Sequence, residues 1–293
     1  ITFVNVKTEW TKGPNSKNGA YGIYPVQCRN VVIDSCISIG ASDAGIYVGQ
    51  SEQIIVKNSE AFHNVAGIEI ENSFNVDVFN NYTHHNTGGI LIFDLPDLIV
   101  KKGQNIRVFD NRVEENNLDN FAPPGNIVST VPAGTGIMVL ATSDVEIFNN
   151  RILNNKSVGP GIVSYFMTEF PVTDSLYNPY TSAIYIHDNV YKRKKQLPTL
   201  KHDIGKLLFI KFGRDVPDII YDGMPDPKYT DSDGVVFPER NLCIFNNSGS
   251  EFVNLEIDIN FEKWYTPYFT RFSQDVSRFS CELPPLKEVL TSH

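Results

Sequence analysis

A short phrase returns six times along the chain, and this repetition constrains the fold more than any other feature. The phrase has an aliphatic residue, any residue, Val or Ile, one further residue, and then Asn or Asp, usually followed by Asn. Its six copies start at Ile54, Val76, Ile106, Val145, Ile184 and Leu242, and looser copies start at Val31 and Ile1. Self-similarity at a short fixed period indicates a solenoid in which each repeat supplies one structural unit.

A second phrase, Gly followed by Ile, occurs about half a period after the first. Its copies start at Gly22, Gly45, Gly67, Gly89, Gly136 and Gly161. In the first phrase the aliphatic residues stand two apart while the residue between them varies, as Asp77, Arg107 and Glu146 do. This alternation is typical of a strand with one buried face. The spacing therefore predicts an all-β chain folded as a parallel β-helix, with a β-sandwich as the alternative.

Asparagine at the same place in successive coils has a reason in turn chemistry. Asn tolerates the left-handed backbone conformation, and its side-chain amide can hydrogen-bond nearby backbone or the next Asn along the stack. Glycine in the second phrase permits a tight bend into the following strand. We therefore expect a ladder of asparagines at a corner of the coil.

The repeats predict one β-helix domain over residues 1–247 and a C-terminal capping tail over residues 248–293. Long insertions are predicted at about 118–135, 165–182 and 190–240, where the repeat spacing grows. These insertions are rich in aromatic residues and proline, which suits either a sugar-binding wall or packing against the coil. Cys36 and Cys243 lie within strand phrases and are predicted to be small core residues; a Cys243–Cys281 disulfide tying the tail to the last coil is the alternative.

Composition excludes several classes of function. The formal net charge of −9 and the pI near 5.2 argue against a nucleic-acid-binding protein. No stretch approaches the ~20 apolar residues of a membrane span. Asp231–Gly234 begins like a calcium loop, but Leu242 stands where the bidentate Glu would fall. No cofactor or metal site is therefore predicted, and calcium has no motif in its favour.

Stacking the coils on Gly45, Gly67 and Gly89 brings a strip of polar residues together. Two stacked histidines precede the glycines, and Tyr, Glu, Asp and amide side chains follow or flank them. The candidate catalytic residues are His63, His85, Tyr47 and Glu69. The candidate substrate-binding residues are Tyr24, Asp43, Gln50, Glu71, Asn72 and Asp94. Outward polar residues are also what any solvated strand displays, so a purely structural role is the competing interpretation.

Several segments resemble those of a known family. They are 19–27, 41–50, 64–72, 87–96 and 121–126, as in Ala41-Ser-Asp-Ala-Gly-Ile-Tyr-Val-Gly-Gln50. The coils resemble the right-handed parallel β-helix repeat superfamily of polysaccharide lyases, hydrolases and uronate epimerases. More narrowly, residues 1–166 are similar to bacterial exported β-helix proteins of poorly defined activity. The resemblance implies a right-handed, single-stranded helix and an extracytoplasmic location. It also implies a second exported protein as a partner and an export signal upstream of Ile1.

The resemblance implies a carbohydrate-active protein whose partner is a polysaccharide or oligosaccharide, with a lyase or uronate epimerase preferred over a hydrolase. A lyase needs a base, an acid and a group that neutralises the uronate, and cations are sparse in the strip. A hydrolase needs a carboxylate pair, for which Glu69, Glu71, Asp94 and Asp43 are the candidates. The Asp-Pro-His-Asp signature of the mannuronan epimerases is absent from the sequence, so their catalytic residues have no counterpart here. The alternative is a non-catalytic glycan-binding or surface structural module.

Overall fold

The chain coils through three parallel β-sheets, which together enclose one elongated core. The computed structural model describes residues 1–257 and 272–290. The first sheet contains β1 (Thr2–Val4), β4 (Arg29–Asp34), β7 (Glu52–Lys57), β10 (Phe74–Phe79), β13 (Gln104–Phe109), β16 (Ser143–Phe148), β19 (Ser182–His187) and β22 (Leu242–Phe245). The second contains β2 (Lys7–Glu9), β5 (Ile37–Ile39), β8 (Glu60–Phe62), β11 (Tyr82–His84), β14 (Arg112–Glu114), β17 (Arg151–Leu153) and β20 (Val190–Lys192). The third contains β3 (Tyr21–Ile23), β6 (Ala44–Gly49), β9 (Ala66–Glu71), β12 (Gly88–Phe93), β15 (Thr135–Leu140), β18 (Val158–Val163), β21 (Ile219–Tyr221) and β23 (Phe252–Asn254).

The register of the first sheet follows the repeated phrase. The first residue of each copy pairs with the first residue of the next, in the series Val31, Ile54, Val76, Ile106, Val145, Ile184 and Leu242. The predicted parallel coil is confirmed by this pairing. In the third sheet the predicted alignment of one glycine phrase is wrong by two residues. Gly161, which the sequence pattern aligns with Gly136, lies opposite Met138, and Gly159 is the residue in line with Gly136.

The core is built from the alternating aliphatic residues of all three sheets. Ile54, Val76 and Ile106 are at most 1% exposed, and each lies over its counterpart in the next coil. Burying a side chain of this size contributes about 1.5–3 kcal/mol. Because each coil covers its neighbours, stability accumulates roughly as a sum over adjacent coils.

Two ladders of asparagine run parallel to the helix axis. At the corner between the first and second sheets, each side-chain Nδ2 donates to the Oδ1 of the next asparagine at 3.0–3.1 Å, from Asn81 through Asn111, Asn150 and Asn189 to Asn247. At the next corner, Asn64, Asn86, Asn116 and Asn155 form a second ladder with distances of 2.9–3.2 Å. The predicted ladder is confirmed, and a second one accompanies it.

The insertions pack against the outer face of the third sheet. Tyr165 and Tyr177 are 4% and 6% exposed and join Leu91, Phe93 and Met138 in a second apolar cluster. For these two tyrosines, packing against the coil therefore describes the structure better than a sugar-binding wall. The insertion between β20 and β21 forms the helix α1 (Asp203–Phe212). No helix in the described part of the chain is long and apolar enough to cross a membrane.

The C-terminal region first adds a strand to the solenoid and then runs along its outside. Strand β23 extends the third sheet beyond residue 247, where the solenoid was predicted to end. Cys243 and Cys281 form a disulfide, which holds the chain beside β22, and Cys36 is the buried core residue that was predicted. The following residues run along the outside of the first sheet. There the Leu286 amide donates to Glu146 Oε2 at 2.9 Å, and the Val289 amide donates to Asp77 Oδ2 at 3.2 Å.

Candidate functional site

The site lies on the outer face of the third sheet, over its first coils. Strand alternation turns Ile68 and Ile70 into the core, so the side chains of Glu69 and Glu71 lie on the outer face. Glu69 pairs in register with Tyr47 of β6, and Glu71 pairs with Gly49. The sequence pattern therefore predicts correctly that Tyr47, Glu69 and Glu71 share one face.

Hydrogen bonds join these side chains into a compact cluster. The Tyr47 hydroxyl donates to Glu71 Oε1 at 2.5 Å. The carboxyl groups of Asp43 and Glu69 lie close enough to shift each other's pKa. Asn126 Nδ2 donates to Asp43 Oδ2 at 3.3 Å. We call Asp43, Glu69 and Glu71 the carboxyl cluster.

Burial dominates the electrostatics of the carboxyl cluster. Desolvation raises the pKa of Asp43 to about 6, against the opposing hydrogen bonds from Asn126 and Tyr21. Desolvation, helped by the charge of Asp43, raises the pKa of Glu71 to about 7, although the Tyr47 hydrogen bond opposes it. The pKa of Glu69 is raised well above its usual value, first by desolvation and then by the charges of Asp43 and Glu71. Near neutral pH the cluster therefore holds both protonated and ionised carboxyls.

One oxygen of the carboxyl cluster has an unsatisfied hydrogen-bonding capacity. The side chain of Glu69 is 3% exposed, and its buried Oε2 receives no hydrogen bond from an N–H or hydroxyl of the described residues. Within the described chain, the groups that shift the pKa values of the cluster include no lysine or arginine. The cluster is thus an acceptor-rich region without a protein cation.

Three tyrosine rings border the carboxyl cluster on its N-terminal side. The rings of Tyr21 and Tyr24 stack with centroids 4.2 Å apart, and Tyr47 lies 4.7 Å from the first and 5.0 Å from the second. Tyr24 is 51% exposed, so it presents an aromatic surface to solvent beside the buried carboxyls. We call these three rings the tyrosine platform.

The two predicted histidines lie apart from the carboxyl cluster. His63 and His85 adopt positive φ angles of 58° and 53° at the corner between the second and third sheets. The two residues lie over each other in successive coils, as predicted, but their rings meet edge to face with centroids 6.2 Å apart, and their other partners are Phe62, His84 and Glu115. Desolvation, followed by the charges of His85 and His84, lowers the pKa of His63. The structure therefore does not bring these histidines together with Tyr47 and Glu69.

The remaining predicted residues hold the loop over residues 95–102. Gln50 Oε1 accepts from the Ile99 amide at 3.0 Å, and Asn72 Nδ2 donates to the carbonyls of Leu95 and Val100 at 2.9 and 2.8 Å. Asp94 is fully buried and accepts from the Gly103 amide at 2.7 and 2.9 Å. Desolvation raises its pKa to about 8, against the charge of Lys102. Gln50 and Asn72 are engaged in structural contacts and do not join the carboxyl cluster. Asp94 is held by its contact with Gly103, although the charge of Glu71 also raises its pKa.

Sequence reasoning missed two members of the site. Tyr21 is on the platform because it is in register with Ala44, and this follows from the same alignment that identified Tyr24. Asn126 belongs to the 118–135 insertion and reaches Asp43 across 83 residues of chain. No local pattern signals that contact.

A second polar region, on the outer face of the first sheet, was also missed. Arg107 forms a bidentate ion pair with Asp77, through Nε at 2.8 Å and Nη2 at 2.5 Å. His187 Nε2 lies 3.0 Å from Glu146 Oε1. Burial opposes the charged imidazolium, but the hydrogen bonds and charges of Glu146 and Asp188 outweigh it and raise the pKa of His187. Glu146 borders a cavity of about 730 Å³ between this sheet and the tail residues 283–290.

The two regions differ in what they offer chemically. On the first sheet each carboxylate already has a cationic or backbone partner, which indicates a structural network. The carboxyl cluster instead has donors and acceptors of protons with shifted pKa values, next to an exposed aromatic ring, a combination that favours a binding or catalytic site. No group of three or more His, Cys, Asp or Glu side chains in the described residues is arranged to hold a metal ion.

Comparison with known proteins agrees with the fold. The family described as "Right handed beta helix region" matches residues 15–100, and the predicted right-handed parallel β-helix is confirmed. Among solved structures, the periplasmic alginate epimerase AlgG is similar at 18% sequence identity and a TM-score of 0.40. That match covers 69% of this chain and 41% of the epimerase chain. No curated protein matches the sequence.

Proposed function

We propose that this chain is a carbohydrate-active β-helix protein that binds a glycan at the tyrosine platform and acts on it through the carboxyl cluster. The observation that carries the proposal is the buried carboxyl cluster, in which Tyr47 holds Glu71, next to the half-exposed ring of Tyr24. Sugar rings stack their apolar faces on aromatic side chains, and their hydroxyls donate to carboxylates. Both kinds of group lie side by side here.

The chemistry that suits this site is hydrolysis of a glycosidic bond. Glu69, whose pKa is raised well above its usual value by burial, is the general acid, which gives its proton to the leaving glycosidic oxygen as the C–O bond breaks. Glu71, with a pKa of about 7, is the general base, which takes a proton from the water whose oxygen bonds to the anomeric carbon. Tyr47 positions Glu71 through its 2.5 Å hydrogen bond.

A lyase or epimerase acting on uronates, the chemistry preferred on sequence grounds, has less support at this site. Abstraction of the proton beside a uronate carboxylate requires a group that neutralises that carboxylate, and the cluster would repel it instead. Arg107 and Lys57 lie on the first sheet, where they are paired with Asp77 and Asp34.

A non-catalytic glycan-binding module is the second candidate. The low exposure of the catalytic groups favours it, because Asp43, Glu69 and Glu71 are 6%, 3% and 8% exposed. Catalysis would require the loop that carries Asn126 to move away from Asp43. Binding on the exposed face of Tyr24 requires no such movement.

The proposed location is extracytoplasmic. The Cys243–Cys281 disulfide supports this location, because structural disulfides persist in oxidising compartments. A second exported protein as a partner remains a prediction from the family resemblance.

The test is incubation with a panel of neutral, amino-sugar and uronate polysaccharides, followed by product size, reducing ends and ultraviolet absorbance. Shortened products with new reducing ends and no new double bond would support hydrolysis. The Glu69→Gln and Glu71→Gln variants should then lose at least 100-fold in rate. Glu115→Gln, which alters an ion-paired carboxylate at the histidine corner, is the matched control and should retain full activity.

Formation of a new double bond in a uronate polymer would instead support a lyase activity. Retention of a glycan on an affinity gel without any product would support the non-catalytic binding module. If no glycan is retained or changed, the proposed function is wrong.

A further inference from the structure

Three carboxyl groups meet in the cluster, and none of the described residues gives them a positively charged partner. The charge of Asp43 raises the pKa values of Glu69 and Glu71, and the charge of Glu71 raises that of Glu69. The other described groups that act on the three carboxyls are Tyr21, Tyr47 and Asn126. Tyr47 donates to Glu71 and Asn126 donates to Asp43, whereas no N–H or hydroxyl of the described chain donates to the buried Oε2 of Glu69. A ligand that completes this site must bring hydrogen-bond donors and positive charge.

Glu69 supplies the second, independent indication of a ligand. Its side chain is 97% buried, and its Oε2 atom is an acceptor that no N–H or hydroxyl of the described chain satisfies. Leaving such an atom unpaired costs about 1–3 kcal/mol, and more when the group is charged. A donor from outside the protein would remove this cost.

We propose that the glycan recognised here carries free, protonated amino groups, and that one such ammonium binds between the carboxyls of Asp43, Glu69 and Glu71 while its sugar ring stacks on Tyr24. An ammonium group has three donors and one positive charge, which matches three carboxyl acceptors of net negative charge. The tyrosine platform adds an attraction between the cation and the aromatic faces. This inference rests on the glycan-binding function proposed above and specifies its substrate class.

Other occupants match the cluster less well. An N-acetylated sugar offers one amide donor at nitrogen and no charge. A uronate brings a further negative charge into a site that is already rich in carboxyl groups. The arrangement of described side chains does not suit a metal ion. The amino sugar is therefore the ligand class whose charge and donor count both match.

The experiment compares two oligosaccharides of equal length that differ only at nitrogen. Binding of a fully deacetylated glucosamine hexamer and of its N-acetylated counterpart is measured by isothermal titration calorimetry at pH 6 and low salt. We expect the deacetylated hexamer to bind at least 10-fold more tightly. The double variant Asp43→Asn/Glu71→Gln should abolish that preference, whereas Glu115→Gln should preserve it.

A second variant separates charge recognition from folding. Tyr24→Ala removes an exposed ring that contributes little to the core, so it should weaken the binding of both hexamers by a similar factor.

Equal affinity for the two hexamers would overturn the inference while leaving glycan binding intact. Tighter binding of the N-acetylated hexamer would overturn it as well. Absence of binding to both hexamers, together with retention of a uronate polymer, would also reject the amino-sugar ligand. If no glycan of any class binds, the proposed function itself fails.

Discussion

Each asparagine of the repeated Asn-Asn pair has a distinct role. The first residue of the pair, as in Asn149, adopts a positive φ of 54° and is exposed, so it turns the chain. The second, as in Asn150, is fully buried and belongs to the ladder. Its Nδ2 donates to the Val108 carbonyl and to Asn189 Oδ1 at 2.8 and 3.0 Å, and its Oδ1 accepts from Asn111. The ladder therefore satisfies backbone groups that the corner leaves unpaired.

Replacing one ladder residue should be costly, and replacing its neighbour should not. Asn150→Ala leaves several buried donors and acceptors without partners, at about 1–3 kcal/mol each. We expect it to lower the free energy of unfolding by about 3 kcal/mol in urea denaturation followed by circular dichroism. Asn149→Gly, at a positive φ that suits glycine, should change it by less than about 0.5 kcal/mol. Equal effects of the two variants would contradict the division of roles.

The carboxyl cluster should make the protein less stable as the pH rises. Its folded-state pKa values are higher than those of unfolded Asp and Glu, near 4, so the folded state binds more protons. That stabilisation is complete below about pH 4 and is lost as the pH passes the folded values of about 6 for Asp43 and about 7 for Glu71. The loss amounts to about 3 kcal/mol for each group.

The measurement is urea denaturation at intervals between pH 5 and pH 8. The double variant Asp43→Asn/Glu71→Gln should flatten the decline relative to the natural sequence. His187, Asp94 and Asp222 also have raised pKa values and remain in both proteins, so part of the slope persists. A slope that is the same in both proteins would mean that the cluster titrates as it does in the unfolded chain.

At the scale of the element, the tail is the part of the fold held by few contacts. After Cys281 it reaches Glu146 and Asp77 through backbone amides of Leu286 and Val289, while Lys287 and Glu288 are exposed. The disulfide to Cys243 closes a loop of 38 residues and restricts the unfolded chain. We therefore expect the disulfide to be the main anchor of this segment.

Breaking the disulfide should release the tail before the coils unfold. Cys281→Ser should reduce the free energy of unfolding by about 2–4 kcal/mol and accelerate trypsin cleavage after Lys287 several-fold, detected by mass spectrometry. Cys28→Ser, which alters a cysteine outside the disulfide, is the matched control. An unchanged cleavage rate in Cys281→Ser would show that the contacts with Glu146 and Asp77 hold the tail by themselves.

The elements that sequence predicts well are those specified by the repeat. Tyr47, Glu69 and Glu71 could be placed on one face because each strand has the same two-residue period and the same register as its neighbours. The Asn126–Asp43 contact and the helix α1 could not be predicted, because the insertions depart from the repeat and their contacts join distant parts of the chain. The sequence spacing predicts correctly that His63 and His85 occupy equivalent positions in successive coils. Their positive φ angles, however, put them at a corner of the coil, away from the face that carries Tyr47 and Glu69.

For the whole molecule, the stacking of coils predicts a gradient of local stability. The central strands β10 and β13 are each hydrogen-bonded to a neighbour on both sides. Strand β1 is paired only with β4 within the described sheet, and its first and last residues are exposed. In a solenoid, opening can begin at an end without disturbing distant coils, because each coil contacts only its neighbours. Local opening of the first coil should therefore require much less free energy than opening of the central ones.

Native-state hydrogen exchange measured by mass spectrometry tests this gradient. Peptides that cover β10 and β13 should exchange at least 100-fold more slowly than peptides that cover β1 and β2, which corresponds to about 3 kcal/mol in opening free energy. Val78→Ala, in the core of a central coil, should accelerate exchange in β7 and β13 more than in β1. If exchange is equally slow in all coils and the substitution accelerates all of them alike, the solenoid opens as one cooperative unit. The insertions that bridge several coils would then be what couples them, as Asn126 does when it joins the 118–135 loop to Asp43 in an early coil.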